Sequence, residues 1–501
     1  MHIKYLAGLV LLSMGSAQAQ SFPLTSTATL PPDQQIEQVI HKLAPSIVVK
    51  GETIPYQTLP ATMAKYKVPG VSVAVIVDGK LAWAQGFGLK AADKKERVSP
   101  TTLFQAASIS KPVTATAMLK MVEQGTFSLD TPINTYLKSW QLPDNEFTKT
   151  AAVTLRRLVT HSAGLNVHGF PGYAARAPLP SVPQILNGEK PANTEAVKVV
   201  MTPGSKWQYS GGGTTIMQMA MVDTSGETFP ALMHRLVLAP LEMSHSAYEQ
   251  PLSSAKQGLV AAAHDEKGQV IPGRWHTYPE LAAAGLWTTP SDLSKWAIEL
   301  GEARLGKSSK VLSQSMVNEM LTEQVAPSGL GPMVHGKDEA MYFEHGGSNE
   351  GYRCFVVYFP ALGRGAAIMT NGDGGAFVYR PLLTALATVY NWPDFKPREI
   401  EAVKLDAKSA QELIGEYPFP ASSPKEKPPS VFISMKKGDM MITVPNFVPL
   451  TRAVMQTNGS LITPENGFEW AFTKDDAGRV IGLEFNGRKL PKKMRNHTHS
   501  F

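Results

Sequence analysis

Strand signals stand at the two ends of a long stretch of this chain, with helices and loops between them. Gly70 to Val77 reads Gly-Val-Ser-Val-Ala-Val-Ile-Val, a β-branched run of strand length. Asp78-Gly79 follows as a hairpin turn, and Leu81 to Phe87 is the returning strand. Strand signals then return at Met341 to His345, Tyr352 to Phe359 and Gly365 to Thr370. Residues 125–340 are mostly helices and long Pro/Gly loops, and Arg380 to Tyr390 closes with a helix. Such a pattern predicts an α+β architecture. An antiparallel β-sheet is assembled from both ends, flanked by helices, with a mainly helical insertion.

Composition shifts after Trp392. Residues 393–410 are charged and proline-bearing, which suits a linker. From Leu413 the chain reads as short strands: Val431 to Met435, Met440 to Val444, Ser460 to Thr463, Phe468 to Thr473 and Val480 to Phe485. They predict a small all-β domain over residues 411–492, a sheet or barrel. The densest basic run holds Arg488, Lys489, Lys492, Lys493 and Arg495, and is read as a solvated tail, with residues 493–501 as its end.

The N-terminus carries Lys4, a short apolar run from Leu6 to Met14, and Ala17-Gln18-Ala19. That is the pattern of a signal peptide over residues 1–19, removed before Gln20. The expected location is therefore the periplasm or the outside of a bacterial-type cell. Residues 20–32 read as disordered, Gln35 to Leu43 as a helix, and residues 20–392 as the catalytic domain. No later segment reaches 18 consecutive apolar residues, so no transmembrane segment is expected in the mature chain. Cys354 is the one cysteine, which excludes an intramolecular disulfide and reads as a small buried hydrophobe. The net charge of +6 is not clustered enough to imply nucleic acid. Zinc spacings, phosphate-binding glycine loops and paired-histidine helices are missing, so neither a metal nor a cofactor is expected.

Within this frame one tetrapeptide carries chemistry: Ser108-Ile109-Ser110-Lys111, in LFQAASISKPVTATAMLKMVEQG. Ala115, Met118, Leu119 and Val122 recur at helical spacing, and Gly125 offers a stop. Residues three apart share a helix face, so Ser108 and Lys111 are expected one turn apart, hydroxyl beside amine. An amine held neutral by a dry pocket can take the serine's proton. The same spacing at Ser253/Lys256, Ser422/Lys425 and Ser434/Lys437 opens no apolar helical run.

Further segments follow in order: Leu158 to Leu165 (LVTHSAGL), Tyr209-Ser210-Gly211 in PGSKWQYSGGG, AAAGLWTTPSDLSKWA, and His345-Gly346-Gly347 in FEHGGSNEGYRCF. Together with VPGVSVAVIVDGKLAWAQGFG they resemble the serine β-lactamase and penicillin-binding-protein superfamily. The branch they look like is that of the class C β-lactamase-related hydrolases, with its D-aminopeptidases, DD-peptidases and esterases. The resemblance runs from about residue 55 to 390. It implies Ser108 as acylated nucleophile, Lys111 as the lysine that activates it, and Tyr209 as the tyrosine of the Y-x-N motif. His345 matches the first residue of the K-T-G or H-x-G strand motif. The implied oxyanion donors are the backbone N–H groups of Ser108 and Ser348, and Gly211, Gly346 and Gly347 match substrate-binding positions.

Two departures from the family pattern bear on substrate. Gly211 stands where the Y-x-N motif has asparagine, whose amide meets the acyl-side amide of β-lactams and peptides. His345 stands where most β-lactamases have lysine, and a largely neutral histidine would capture a substrate carboxylate less well. A cationic Lys111 is expected to lower the pKa of Tyr209. His161 and Thr160 read as scaffold, and Ser291 or Asp292 as the start of a helix. The expected function is an exported serine hydrolase with an acyl-enzyme at Ser108, acting on a small-molecule or peptide substrate through an ester or amide bond. The alternatives are a weak β-lactamase and a binding protein that has lost turnover. The oligomeric state is left open.

Overall fold

The computed structural model describes residues 31–420, 428–445 and 447–493. The expected signal peptide, residues 20–30, Ser422/Lys425 and the tail from residue 494 lie outside the described residues. Two compact units are present. One is Pro60–Tyr379; the other takes the described residues of Met1–Leu59 and Arg380–Phe501.

The larger unit contains a six-stranded sheet. Its strands are β1 (Gly70–Val77), β2 (Lys80–Gly88), β3 (Met333–His335), β4 (Tyr342–Asn349), β5 (Tyr352–Phe359) and β6 (Arg364–Thr370). Their spatial order is β2-β1-β6-β5-β4-β3, with every neighbouring pair antiparallel. The early hairpin thus docks on the late strands, Ile76 opposite Gly365. Asp78 and Gly79 both have left-handed φ, +50° and +70°, as a two-residue hairpin turn requires. All of β5 is buried, which accounts for its apolar and aromatic residues; its one charged residue, Arg353, is paired to Asp373 at 2.8 Å.

Four helices shape the site: α1 (Ser110–Glu123), α2 (Gly211–Ser225), α3 (Leu281–Ala284) and α4 (Pro290–Arg304). α1 is buried nearly all round. Its polar side chains are therefore satisfied internally: Trp296 Nε1 donates to Thr116 Oγ1 at 3.0 Å, and Thr114 Oγ1 lies 3.1 Å from Tyr248 OH. α4 begins one step earlier than expected. Pro290 takes the first position, so Thr289 is the cap, accepting from Asp292 N–H at 3.2 Å. Asp292 instead accepts from His245 N–H and Ser246 Oγ.

In the smaller unit, strands from Gly415–Pro418 to Arg488–Pro491 follow one another as antiparallel neighbours. Lys493 N–H donates to Glu416 O at 2.8 Å, which brings the end of the path back to its start and gives a near-barrel. Tyr417, Val431, Ile433, Trp470 and Leu483 fill it. The basic run at Arg488 and Lys489 is strand and not solvated tail, because Leu490 between the charged positions is buried and pairs with Leu483. Arg398–Ile400 pairs in parallel with Ile47–Val49, and Ala402–Val403 joins the sheet. These residues were expected in the linker, and residues 31–59 with the catalytic domain. Among the described residues no helix is long and apolar enough to cross a membrane.

Candidate active site

Ser108 sits on a short 3-10 turn, Ala107–Ile109, that leads into α1; the α-helix itself starts at Ser110. Ala107 has φ +49°, a left-handed conformation that costs a residue with a Cβ roughly 1 kcal/mol. Such strain persists only where surroundings impose it. Here Ala106 N–H donates to Leu286 O at 2.8 Å, Ala106 O accepts from Cys354 Sγ at 3.0 Å, and Leu286 N–H donates to Ser110 Oγ at 3.1 Å. Ala106, Ala107 and Ile109 are fully buried, while Ser108 between them is partly exposed.

Lys111 reaches Ser108 Oγ at 3.0 Å and donates to Ala283 O, on α3, at 2.8 Å. The side chain is 4 % exposed. Burial pushes its ammonium down to about 7. Ser253 and Ser434 stand elsewhere: Lys256 is paired to Glu249 at 2.6 Å, and Ser434 and Lys437 belong to the smaller unit.

Tyr209 precedes α2 and is half-buried, hydrogen-bonded to the Ser108 side chain. Lys111 Nζ lies 5.1 Å from its ring centroid. Burial raises the phenol well above its ordinary value, against the Ser108 hydrogen bond; Glu344 adds to the rise. This reverses the expectation that Lys111 would lower it. The lysine's own burial depresses its charge, so it offers the phenolate little. His345, on β4, is 3 % exposed, with its ring centroid 6.2 Å from that of Tyr209. Its Nδ1 lies 2.6 Å from Gly346 O, so Nδ1 carries the proton and donates. Nε2 is then a buried acceptor with no hydrogen-bond partner among the described residues. Burial, and next Lys111, push the imidazole down to about 3.

β3 pairs with β4 only as far as Glu344. Beyond it, the segment from His345 to Asn349 runs past the Ser108 turn. Asn349 Nδ2 donates to Gln105 Oε1 at 2.7 Å and to Ala284 O at 3.1 Å, tying the strand to α3. Gly347 is the close approach: a Cβ there would collide with Ala106 O and Cys354 Sγ. At Gly346 a Cβ would meet Phe355 Cδ2 at 3.6 Å and Cys354 O at 3.9 Å, ordinary contacts. Gly347→Ala is therefore expected to slow acylation of Ser108 by roughly 10-fold or more, since displacements near 1 Å have effects up to that scale and beyond. Gly346→Ala should stay within about 3-fold, overlap costs being under ~1 kcal/mol there. Comparing labelling rates of the two variants with a fluorophosphonate checks this. Ser348, next along β4, is partly exposed.

Gly211 opens α2 and is buried; its N–H donates to His168 O at 3.0 Å. A Cβ on it would lie 3.0 Å from Phe170 Cε2 and 3.2 Å from His168 O. Gly212 and Gly213 face Val197 and Leu165 as tightly. The loop at residues 165–170 thus occupies the room that a side chain at 211 would need. Ser108, Lys111, Tyr209 and His345 come together, and Gly347 approaches the turn that carries Ser108, whereas Gly211 is covered. The sequence reading missed the Ala283 carbonyl, which holds Lys111 from within a segment read as structural. A backbone acceptor leaves no side-chain signature. Cys354 is the buried hydrophobe expected, its thiol pushed up by burial, and it braces the Ser108 turn.

Residues 57–389 match the family model described as Beta-lactamase. The chain is 22% identical over 316 residues to Protein flp of Staphylococcus aureus (strain N315), covering 62% of this chain and 61% of that protein. It therefore spans about six-tenths of the length of that relative. Among solved structures it is similar to the octameric penicillin-binding protein homologue from Pyrococcus abyssi, with TM-score 0.55, 20% identity, and coverage of 87% of this chain and 98% of that one. It is also similar to the D-alanine carboxypeptidase AmpC from Burkholderia cenocepacia, with TM-score 0.54, 17% identity, and coverage of 71% and 100%.

Proposed function

This chain belongs to the beta-lactamase family, and from that premise we propose that it is an exported serine hydrolase that works through an acyl-enzyme at Ser108. One observation carries the reading: a buried amine held at about 7 stands 3.0 Å from a partly exposed hydroxyl. In its neutral form Lys111 keeps a proton for Ala283 O and can turn its lone pair to Ser108 Oγ, 3.0 Å away. It takes the hydroxyl proton as Oγ attacks the substrate carbonyl. The backbone N–H groups of Ser108 and Ser348 are the assigned donors to the developing oxyanion. Tyr209 stays a phenol and passes the proton from Lys111 to the leaving oxygen or nitrogen. Water then cleaves the acyl-enzyme by the same path in reverse.

His345 bears on the substrate. A neutral imidazole with Nε2 free to accept offers no cation to a free carboxylate. This favours esters, or those amides of D-amino-acid peptides whose leaving side carries no free carboxylate. β-Lactams, with their carboxylate, rank below them. Covered Gly211 is the one observation on the side of a binding protein without turnover.

The test is intact mass after incubation with a fluorophosphonate and, separately, with a penicillin. The expected result is one adduct from the first and a slow or absent adduct from the second. No adduct from either, in folded protein, would sink the hydrolase reading in favour of the binding protein. The pH profile gives a second check. The active form has Lys111 neutral, so kcat/KM for an ester should rise about tenfold per pH unit below 7 and level off above it. His345 contributes no limb between pH 5 and 9, being neutral throughout.

A further inference from the structure

Tyr209 must hold its phenol against Ser108 at the end of a loop, and one residue touches that loop three times. His161 O accepts from the N–H of Gln208, just before Tyr209, at 2.6 Å. His161 Nδ1 accepts from the N–H of Ser210, just after Tyr209, at 3.2 Å. Between these anchors the His161 ring lies against the Tyr209 ring, centroids 4.3 Å apart at 39°. The Trp207 ring lies edge-on to that of His161, 6.3 Å away at 87°, and is itself fixed by its Nε1 donating to Ser328 Oγ at 2.9 Å.

We infer that His161 is the positioning residue for Tyr209, clamping the backbone on both sides of it and backing its ring. The inference rests on the Ser108 acyl-enzyme reading. Two features of His161 serve this placement. It is non-glycine at φ +55°, and in that conformation its carbonyl and its side chain both meet the segment Gln208–Ser210. Its imidazole is 3 % exposed and accepts a backbone hydrogen bond at Nδ1, which requires the neutral ring. Burial, then the nearby Lys111, His345 and His168, hold the ring in that form. A neutral ring can lie against a phenol in a pocket shared with Lys111 without adding a second charge.

His161→Asn and His161→Phe divide the clamp. Asparagine tolerates left-handed φ and its Oδ1 can replace Nδ1 as the acceptor, but it removes the ring. Phenylalanine keeps a ring and removes the acceptor. Both are measured as ester turnover per Ser108 site titrated by fluorophosphonate, so that unfolded protein drops out. Each variant is expected to lose roughly 10- to 100-fold in kcat per titrated site, the scale of a misplaced catalytic group, with KM within about 3-fold. In a Tyr209→Phe background the His161→Asn loss should shrink to within about 2-fold, because there is no hydroxyl left to place. Full turnover per titrated site in both variants overturns the inference, and so does an undiminished loss in the Tyr209→Phe background. Should one variant yield no folded protein, the other decides by the same two readings. Absence of labelling in the unmodified protein would instead strike the acyl-enzyme reading itself.

Discussion

Ser108→Ala is expected to abolish covalent labelling and to lower ester turnover by a factor on the order of 10⁵ or more, the scale of losing a nucleophile. The turn that presents Ser108 is held by Leu286, Ser110 and Cys354, and none of those bonds involves the Ser108 hydroxyl. The variant should therefore fold with a melting temperature near that of the parent. What it loses is the one oxygen that Lys111 Nζ reaches at 3.0 Å. The measurement is p-nitrophenyl butyrate hydrolysis together with intact mass after a fluorophosphonate. Ser253→Ala serves as the control and should be silent, since its lysine is paired to Glu249. Residual turnover above a hundredth of the parent would show that another group attacks.

The second large effect concerns the proton path. Lys111→Met keeps the volume of the buried stem and removes the amine; Tyr209→Phe removes only a hydroxyl. Each should lower kcat by a factor on the order of 100 or more, the scale of general acid–base help. The two touch the same oxygen, Lys111 through Nζ and Tyr209 through its hydrogen bond to Ser108. Groups acting as one unit lose little more together than singly. The double variant should thus fall within about 3-fold of the worse single one. Multiplying losses would separate their roles. The acid limb near pH 7 should persist in Tyr209→Phe and vanish in Lys111→Met, because it belongs to the lysine.

Five of the six strands of the larger unit's sheet could be read directly; the three-residue Met333–His335 fell within the stretch read as helices and loops. The β-branched and aromatic runs of the five are long, and Asp78-Gly79 has one common use. Ser108 and Lys111 were adjacent by spacing alone, whereas the nearness of Tyr209 and His345 came from resemblance, because only the folded chain brings residues so far apart in sequence together. Burial was the illegible quantity. It turned the expected shift of Tyr209 around, and it drove Lys111 and His345 toward their neutral forms. In the smaller unit, Val448–Gln456 escaped notice because charged and polar positions interrupt it, although its second half is buried. Thr289 was overlooked as a cap because Ser291 and Asp292 follow so closely; Pro290 decides between them.

The early hairpin docks on a strand that leaves the ribosome near the end of the larger unit. β1 pairs with β6 along its length, Val71 opposite Thr370 and Ile76 opposite Gly365. Contacts so distant along the chain make closure of the sheet slow relative to local helix formation. Ser108, Lys111 and Tyr209 are all synthesised before β4, which carries His345 and the close approach at Gly347. A nascent chain therefore holds its nucleophile and its base without the strand edge beside them. Assembly of the reactive pocket thus waits for the last strands of the larger unit, in the order the chain supplies them.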